Sequence, residues 1–261
     1  MTINIVGTGS HVPETIVTND DLAKFIDTSD EWIRERTGIL ERRIAQGNCL
    51  LDLVTQASQK AMLDAGVTGE EIDLIIVASI TGDTLVPSTA GALQAKIGAN
   101  KAIAFDINAA CSGFIYAIAI ASNMMQNSGL KKALIIGAEQ LSKITNWEDR
   151  STCVLFGDAA GAAVLSSGDE GGILAYALKN QPDTDGVLTC KGLSNQYPAC
   201  KEENNQMTLQ MQGPNVFRFA TMVMVEMILK VLAEANLTAD DIAWIVPHQA
   251  NKRIIDYAAK K

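Results

Sequence analysis

The chain has 261 residues, 48% of them hydrophobic and 20% charged, enough for one large core or two fused ones. A net charge of −9 argues against nucleic acid or an anionic membrane as the main partner, although basic residues can still gather locally around an anionic ligand. The five cysteines (Cys49, Cys111, Cys153, Cys190, Cys200) are odd in number and lack the paired close spacing of a zinc site or a disulfide framework, which fits a reducing compartment.

At the N-terminus, "MTINIVGTGSHVP" has no basic run ahead of an apolar stretch, so no signal peptide is indicated. The apolar runs farther on are too short and interrupted to cross a bilayer, and a cytoplasmic protein is expected. "GTGSHVP" opens like a dinucleotide fingerprint but lacks the third glycine, and Pro13 spoils a following helix. His11 is expected in a turn before that proline.

Short β-branched runs then alternate with helical patterns. "INIVG" is followed by a helix over Leu50–Ala65, the strand "DLIIVAS", a helix over Ala90–Ile97, the strand "KAIAFDI", a helix over Ser112–Asn127 and the strand "KALIIGAE". "CVLFGDAAGAAVLSS" reads as strand–turn–strand, punctuated by Gly157 and Gly161. The pattern predicts an α/β protein with a mostly parallel sheet between helices. "NQPDTDGVLTCKGLSNQYPACKEENNQ" is polar and rich in turn formers, an excursion loop. A long helix over Asn215–Ala235, whose Met222, Met224 and Met227 are expected to fill core volume, leads into the strand "AWIVP" and then His248.

Lys60–Thr81 can be laid over Lys230–Asn251 at a constant offset of 170 residues, with 5 of the 22 positions identical. Both segments read helix, turn, acidic pair, buried strand, which points to an internal duplication. Residues 1–170 then form a first half, and 171–261 begin a second. Only the 13 residues Gln249–Lys261 follow the second copy of the strand, so counterparts of "KAIAFDINAACSGF" and "FGDAAGAAVL" are expected beyond Lys261.

Several residues are candidates for chemistry. Cys111 sits where "FDINAA" gives way to a helix, and backbone N–H groups at a helix start favour thiolate over thiol. The small Ala109, Ala110, Ser112 and Gly113 allow close approach; a small core cysteine is the alternative reading. His248 stands at an expected strand end, where α/β sheets place ligands, or it is a surface histidine capping a helix. In "TSDEWIRERTGILERR", Thr28 and Glu31 make a capping box that opens a short helix. An exposed Trp32 beside Arg34 and Arg36 suits stacking on a planar base with phosphate contacts, or else Trp32 is core and the arginines are solvated. Arg150 is indistinguishable from an ordinary loop charge. No metal-ligand spacing occurs.

"GTGSHVPE", "TNDDLAKFIDTSDEWIRERTGILERR", "FDINAACSGF", "FGDAAGAAVL" and "WIVPHQANKRII" together resemble the β-ketoacyl-(acyl carrier protein) synthase III family, in that family's order. The resemblance implies a thiolase-like fold: two duplicated α/β halves in an αβαβα layered arrangement, normally a homodimer, with the second half incomplete here. It implies that Cys111 takes an acyl group from acyl-CoA. His248 then stabilises the thioester oxygen while malonyl-acyl carrier protein loses CO2 and its carbanion attacks the acyl-cysteine. Trp32 and Arg150 match the pair holding the CoA adenine, with Arg36 on the same surface. Gly213, Phe217, Ala250 and Asn251 match the pantetheine tunnel. Arg253, with Lys252 beside it, matches the carrier-protein docking site, and no resident cofactor is implied. Val86 matches the position flooring the partner's acyl pocket, where phenylalanine is common, and the smaller side chain favours longer or branched primers. The family's catalytic asparagine and glycine-rich oxyanion segment fall beyond Lys261, so the chain by itself is expected to condense poorly. A related specialised-metabolite acyltransferase and a non-catalytic paralogue binding CoA or carrier protein are the competing readings.

Overall fold

A computed structural model describes residues 1–47, 49–194, 197 and 207–261. Cys200 and most of the second half of the polar excursion lie outside the described residues. In chain order the elements are β1 (Thr2–His11), β2 (Ile16–Thr18), α1 (Asn19–Leu22), α2 (Asp30–Thr37), β3 (Glu41–Arg43), α3 (Leu50–Ala65), β4 (Leu74–Ala78), α4 (Thr89–Lys96), β5 (Ile103–Ile107) and α5 (Gly113–Ser128). They continue with β6 (Lys132–Gln140), α6 (Arg150–Cys153), β7 (Asp158–Gly168), β8 (Leu188–Thr189), β9 (Gln210–Met211), α7 (Gly213–Ala235) and α8 (Lys252–Ala258). The chain divides into two compact units. One is Met1–Ile16, Arg43–Gln140 and Gly157–Leu178; the other is Val17–Arg42, Leu141–Phe156 and Lys179–Lys261.

The first unit is built on a five-stranded sheet of order β1-β7-β6-β4-β5. β4 runs parallel to β5 and to β6, but β7 is antiparallel to both β6 and β1. Four of the five strands therefore run in one direction, as expected of a mostly parallel sheet, and β7 alone runs against them. β7 itself, "DAAGAAVLSSG", forms a single strand of 11 residues, with Gly161 inside it opposite Gly137 and Ser10, not a strand–turn–strand. β4 is buried at all five positions, as a central strand covered on both faces must be. Alternate residues pack to opposite sides. Ile75, Val77, Leu134, Ile136 and Val164 meet Leu53, Val54, Ala57 and Ala61 of α3; Leu74, Ile76, Ala133, Ile135 and Leu165 meet Ala117, Ala121 and Met125 of α5. Each fully buried aliphatic side chain contributes ~1.5–3 kcal/mol.

The glycines of "GTG" serve packing. A β-bulge between Ile5 and Gly7 reverses the strand's facing, so Ile3 points toward α5 while Gly7 and Gly9 lie against α3. A Cβ on Gly9 would come within 2.3 Å of the Ala57 carbonyl oxygen. His11 is the last residue of β1, not part of a turn.

The second unit has a small core of Leu22, Ile33, Cys153 and Val154, with Trp32 and Trp147 packed at its edge. Arg42 runs through it, 5% exposed, donating to the Val17 carbonyl (3.0 Å), Asn19 Oδ1 (2.8 Å) and the Val154 carbonyl (3.2 Å). α7 is longer than expected at its start, with Pro214 in the first turn where a missing N–H costs nothing. Thr221 is its one buried residue, and Met222 is 59% exposed instead of filling core.

The repeat predicted at a 170-residue offset is visible as local geometry. α3 ends in a left-handed Gly66 whose N–H reaches back to Leu63 and Met62; α7 ends in a left-handed Asn236 that does the same to Ala233 and Leu232. Thr68 and Glu71 then close a capping box around one 3-10 turn, and Thr238 and Asp241 close its counterpart. The copies diverge next: Leu74–Ala78 is a strand bonded on both sides, whereas 244–248 form no strand. Among the described residues no backbone pairs with that segment, and a strand does not persist without a neighbour to satisfy its N–H and C=O groups.

Candidate active site

In the first unit, the end of β5 is fixed from two sides. Asp106 accepts from the backbone N–H of Thr89 and of Ala90, both at 2.7 Å, holding the start of α4, while the Ile107 carbonyl accepts from Ser79 N–H. The chain then turns through Asn108 and Ala109 into a single 3-10 turn, Ala110–Ser112, that runs directly into α5. Ala110 has φ +44°, a left-handed conformation that disfavours a residue with a Cβ. Cys111 follows it and is exposed. Gly113 lets the turn sit on the sheet, since a Cβ there would lie 2.7 Å from that of Ala78.

The helix-start argument favours a lowered thiol pKa, and two features of the fold act the other way. Desolvation by the protein packed on the inner side of Cys111 raises it, the charge of Glu139 raises it further, and the opposing backbone hydrogen bond is outweighed. Glu139 is a residue the sequence reading missed. Its one signal is a carboxylate breaking the otherwise apolar run "KALIIGAE". Val86 lies on the loop between β4 and α4, 87% exposed beside Leu85 at 77%. Asp83 in the same loop accepts from the N–H groups of Leu50 and Leu51 at the start of α3, which anchors the loop's base.

In the second unit, α2 is opened by Ser29, whose hydroxyl accepts from Trp32 N–H; Thr28, the expected cap, has a buried hydroxyl without a hydrogen-bond partner. Trp32 is half-buried against the small core instead of exposed. The Arg36 and Arg150 guanidiniums lie 4.4 and 4.8 Å from its ring centroid, so the ring and both cations predicted from sequence are brought together. Arg150 also donates to the Asp27 carbonyl at 2.8 Å, and Arg34 instead pairs with Asp30.

Gly38 ends α2 at φ +80°, and Lys252 of α8 packs against it, so close that a Cβ on Gly38 would sit 2.9 Å from the lysine's. This seats the first turn of α8 beside α2. Asn251 caps α8, its side chain accepting from Arg253 N–H at 2.8 Å. The Arg253 guanidinium lies 5.8 Å from the Phe217 ring, and Lys252 pairs with Asp256 at 2.6 Å. Gly213 begins α7, where a Cβ would meet only the end of the Met211 side chain at 4.0 Å, and Ala250 is exposed. His248 is exposed, and desolvation by nearby protein lowers its pKa. It does not cap a helix; Asn251 does. Among the described residues no group of His, Cys, Asp or Glu could hold a metal ion, and no helix is long and apolar enough to cross a membrane.

A mixed sheet between helices, with a cysteine on a strained turn at the head of one of them, is an α/β arrangement of the thiolase-like class. The family model for 3-oxoacyl-[acyl-carrier-protein] synthase III matches residues 105–182, and that for its C-terminal part matches 232–261. The β-ketoacyl-[acyl-carrier-protein] synthase III of Clostridium botulinum (strain Kyoto / Type A2) is 48% identical over 99% of this chain and 80% of its own length. That of Clostridium acetobutylicum is 48% identical with the same coverages. A crystal structure of 3-oxoacyl-[acyl-carrier-protein] synthase III from Aquifex aeolicus VF5 superposes with a TM-score of 0.91 at 42% identity, over 99% of this chain and 80% of that one. The chain belongs to the 3-oxoacyl-[acyl-carrier-protein] synthase III family, β-ketoacyl synthase III by its other name.

Proposed function

We propose that this protein primes fatty acid synthesis by joining an acyl group from acyl-CoA to malonyl-acyl carrier protein. The observation that carries the reading is 48% identity to curated β-ketoacyl synthases III across 99% of the chain. The thiol of Cys111 attacks the acyl-CoA thioester; its proton leaves with CoA as the free thiol, and the acyl group stays on sulfur. Malonyl-acyl carrier protein then loses CO2, and the resulting carbanion attacks the acyl carbonyl. The C–S bond breaks, 3-oxoacyl-carrier protein leaves, and Cys111 regains a proton. His248, held toward its neutral form by desolvation, donates a hydrogen bond to the thioester oxygen that gains charge as CO2 departs. Decarboxylation itself supplies the carbanion, so the reading calls for no resident cofactor.

Trp32 with Arg36 and Arg150 is the proposed seat of the CoA nucleotide: a ring for the base and guanidiniums for phosphate. Gly213, Phe217, Ala250 and Asn251 would line the way for pantetheine. Arg253 and Lys252 would receive the acidic carrier protein, a local basic patch on a chain of net charge −9. The reading includes a homodimer in which Val86 of each copy floors the other's acyl pocket, and a cytoplasmic location. Mass spectrometry of protein incubated with acyl-CoA tests it. One acyl group is expected on the Cys111 peptide and none in Cys111→Ala; acylation spread over the other cysteines, or absent, overturns the assignment.

A further inference from the structure

Glu139 is the charged group that acts on the candidate nucleophile from the sheet side, and its position follows from strand parity. On β6, Ala133 and Ile135 face α5; Gly137, next on that face, would place a Cβ 3.4 Å from Phe114, in the first turn of α5. Glu139 is one step farther along the same face, which brings it to the turn that carries Cys111. The carboxylate does not sit loose there. One oxygen accepts from Ile80 N–H at 2.9 Å, and the other accepts from the Thr81 hydroxyl at 2.5 Å and the Ser79 hydroxyl at 3.4 Å. Those donors are themselves held: the Ser79 hydroxyl accepts from Thr81 N–H, and the Thr81 hydroxyl accepts from Gln140 N–H. Glu139 thus ties the C-terminal end of β4 to that of β6, at the end of the sheet where β5 leads into the cysteine turn.

We infer that Glu139 is a positioning residue of the Cys111 site: it locks the 79–81 segment to β6 and sets the charge that the thiol meets from the sheet. A buried carboxylate beside a nucleophilic thiol opposes formation of a thiolate. The burial that surrounds Glu139 also raises its own pKa, with the hydroxyl and amide donors opposing. Among the described residues no other charged group acts on either side chain.

The inference rests on Cys111 being the acyl acceptor, and the experiment separates the two ideas. The rate of iodoacetamide labelling of Cys111, followed by peptide mass spectrometry, is measured against pH for wild type and Glu139→Gln. Glutamine keeps the shape, still accepts from Ile80 N–H, and donates to hydroxyls that are free to turn. The labelling midpoint is expected to fall by about 0.5 pH unit or more, roughly a threefold faster reaction at neutral pH, with the high-pH plateau unchanged. An unmoved or raised midpoint overturns the inference, and so does a lowered plateau without a shift, which is what a merely structural role would give. Should Glu139→Gln fail to fold, Glu139→Met, uncharged and of similar length, takes its place: the same fall in midpoint is expected, and an unmoved or raised midpoint overturns the inference. A shifted midpoint with no acylation of Cys111 by acyl-CoA would instead sink the acyl-transfer reading and leave the role of Glu139 standing.

Discussion

Ala110 holds a left-handed conformation one residue before the candidate nucleophile, and that is where the cost of presenting Cys111 is concentrated. For an L-residue with a Cβ this conformation costs ~1–2 kcal/mol, a cost glycine avoids. Glycine also gives the unfolded chain more freedom, which works against it by ~0.4–1 kcal/mol. Ala110→Gly is therefore expected to leave stability unchanged or raise it by up to ~1.5 kcal/mol. Ala117→Gly, buried inside α5, should instead lose ~1 kcal/mol or more. Urea unfolding of the two variants checks this, and equal losses would mean that the turn carries no strain. The position of Cys111 at a strand-to-helix change was legible from its small neighbours, but the direction of its pKa shift was not. Helix-start partial charges are readable from one segment; desolvation and Glu139 depend on which strand lies alongside. Residue pairs divide the same way. Arg36 is four positions from Trp32, on one helix face, and could be read directly, whereas Arg150 is brought to the same ring only by folding.

At the scale of elements, boundaries set by local chemistry were the ones the sequence made plain. Leu50–Ala65 is a helix over the expected span because its apolar spacing and the Gly66 stop are both local. Strand direction and pairing are not local. β7 looked like two arms around Gly161 because glycine usually punctuates; in the sheet, Gly161 lies opposite Gly137 and the strand continues. The capping boxes after α3 and α7 are local too, and the first has a pH signature. Thr68 backbone N–H, then Lys132 and the Thr68 hydroxyl, hold the Glu71 carboxylate at a pKa of about 2, down from 4.5. A carboxylate with a depressed folded-state pKa adds stability that is fully present above its unfolded value near 4.5. That stability is lost as pH falls from there through about 2. The stability difference between wild type and Glu71→Gln should thus be constant near neutrality and close between pH 4.5 and 2. A gap that persists at pH 2 would show that the box acts through shape alone.

At the scale of the whole molecule, the class of fold was readable from alternating strands and helices. The one reversed strand was not, since β7 comes from the far end of the first unit's chain and pairs with both β1 and β6. The excluded strand before His248 and the exposed Met222 share a cause: periodicity reports which face is apolar, not what covers it.

Val86 raises the same question at the level of assembly. A valine 87% exposed beside a leucine 77% exposed, on a loop anchored through Asp83 to α3, is an apolar tip on a firm base. If each copy inserts that tip into the other's acyl pocket, Val86→Phe should fill space there. The acylation rate of Cys111 should then fall steeply with primer length beyond acetyl-CoA, while wild type accepts longer and branched acyl-CoA. One added methylene changes such discrimination by only ~1–3 kcal/mol, so a phenylalanine ring should exclude a mid-length chain by more than tenfold. Mixed dimers decide whose residue is the floor. Val86→Phe chains with an intact Cys111 are combined with chains carrying Cys111→Ala and a native Val86. In the heterodimer the reactive cysteine then faces the partner's valine, and long primers should again be accepted. Continued exclusion of long primers in that mixture would place Val86 in its own chain's pocket and end the exchange between copies.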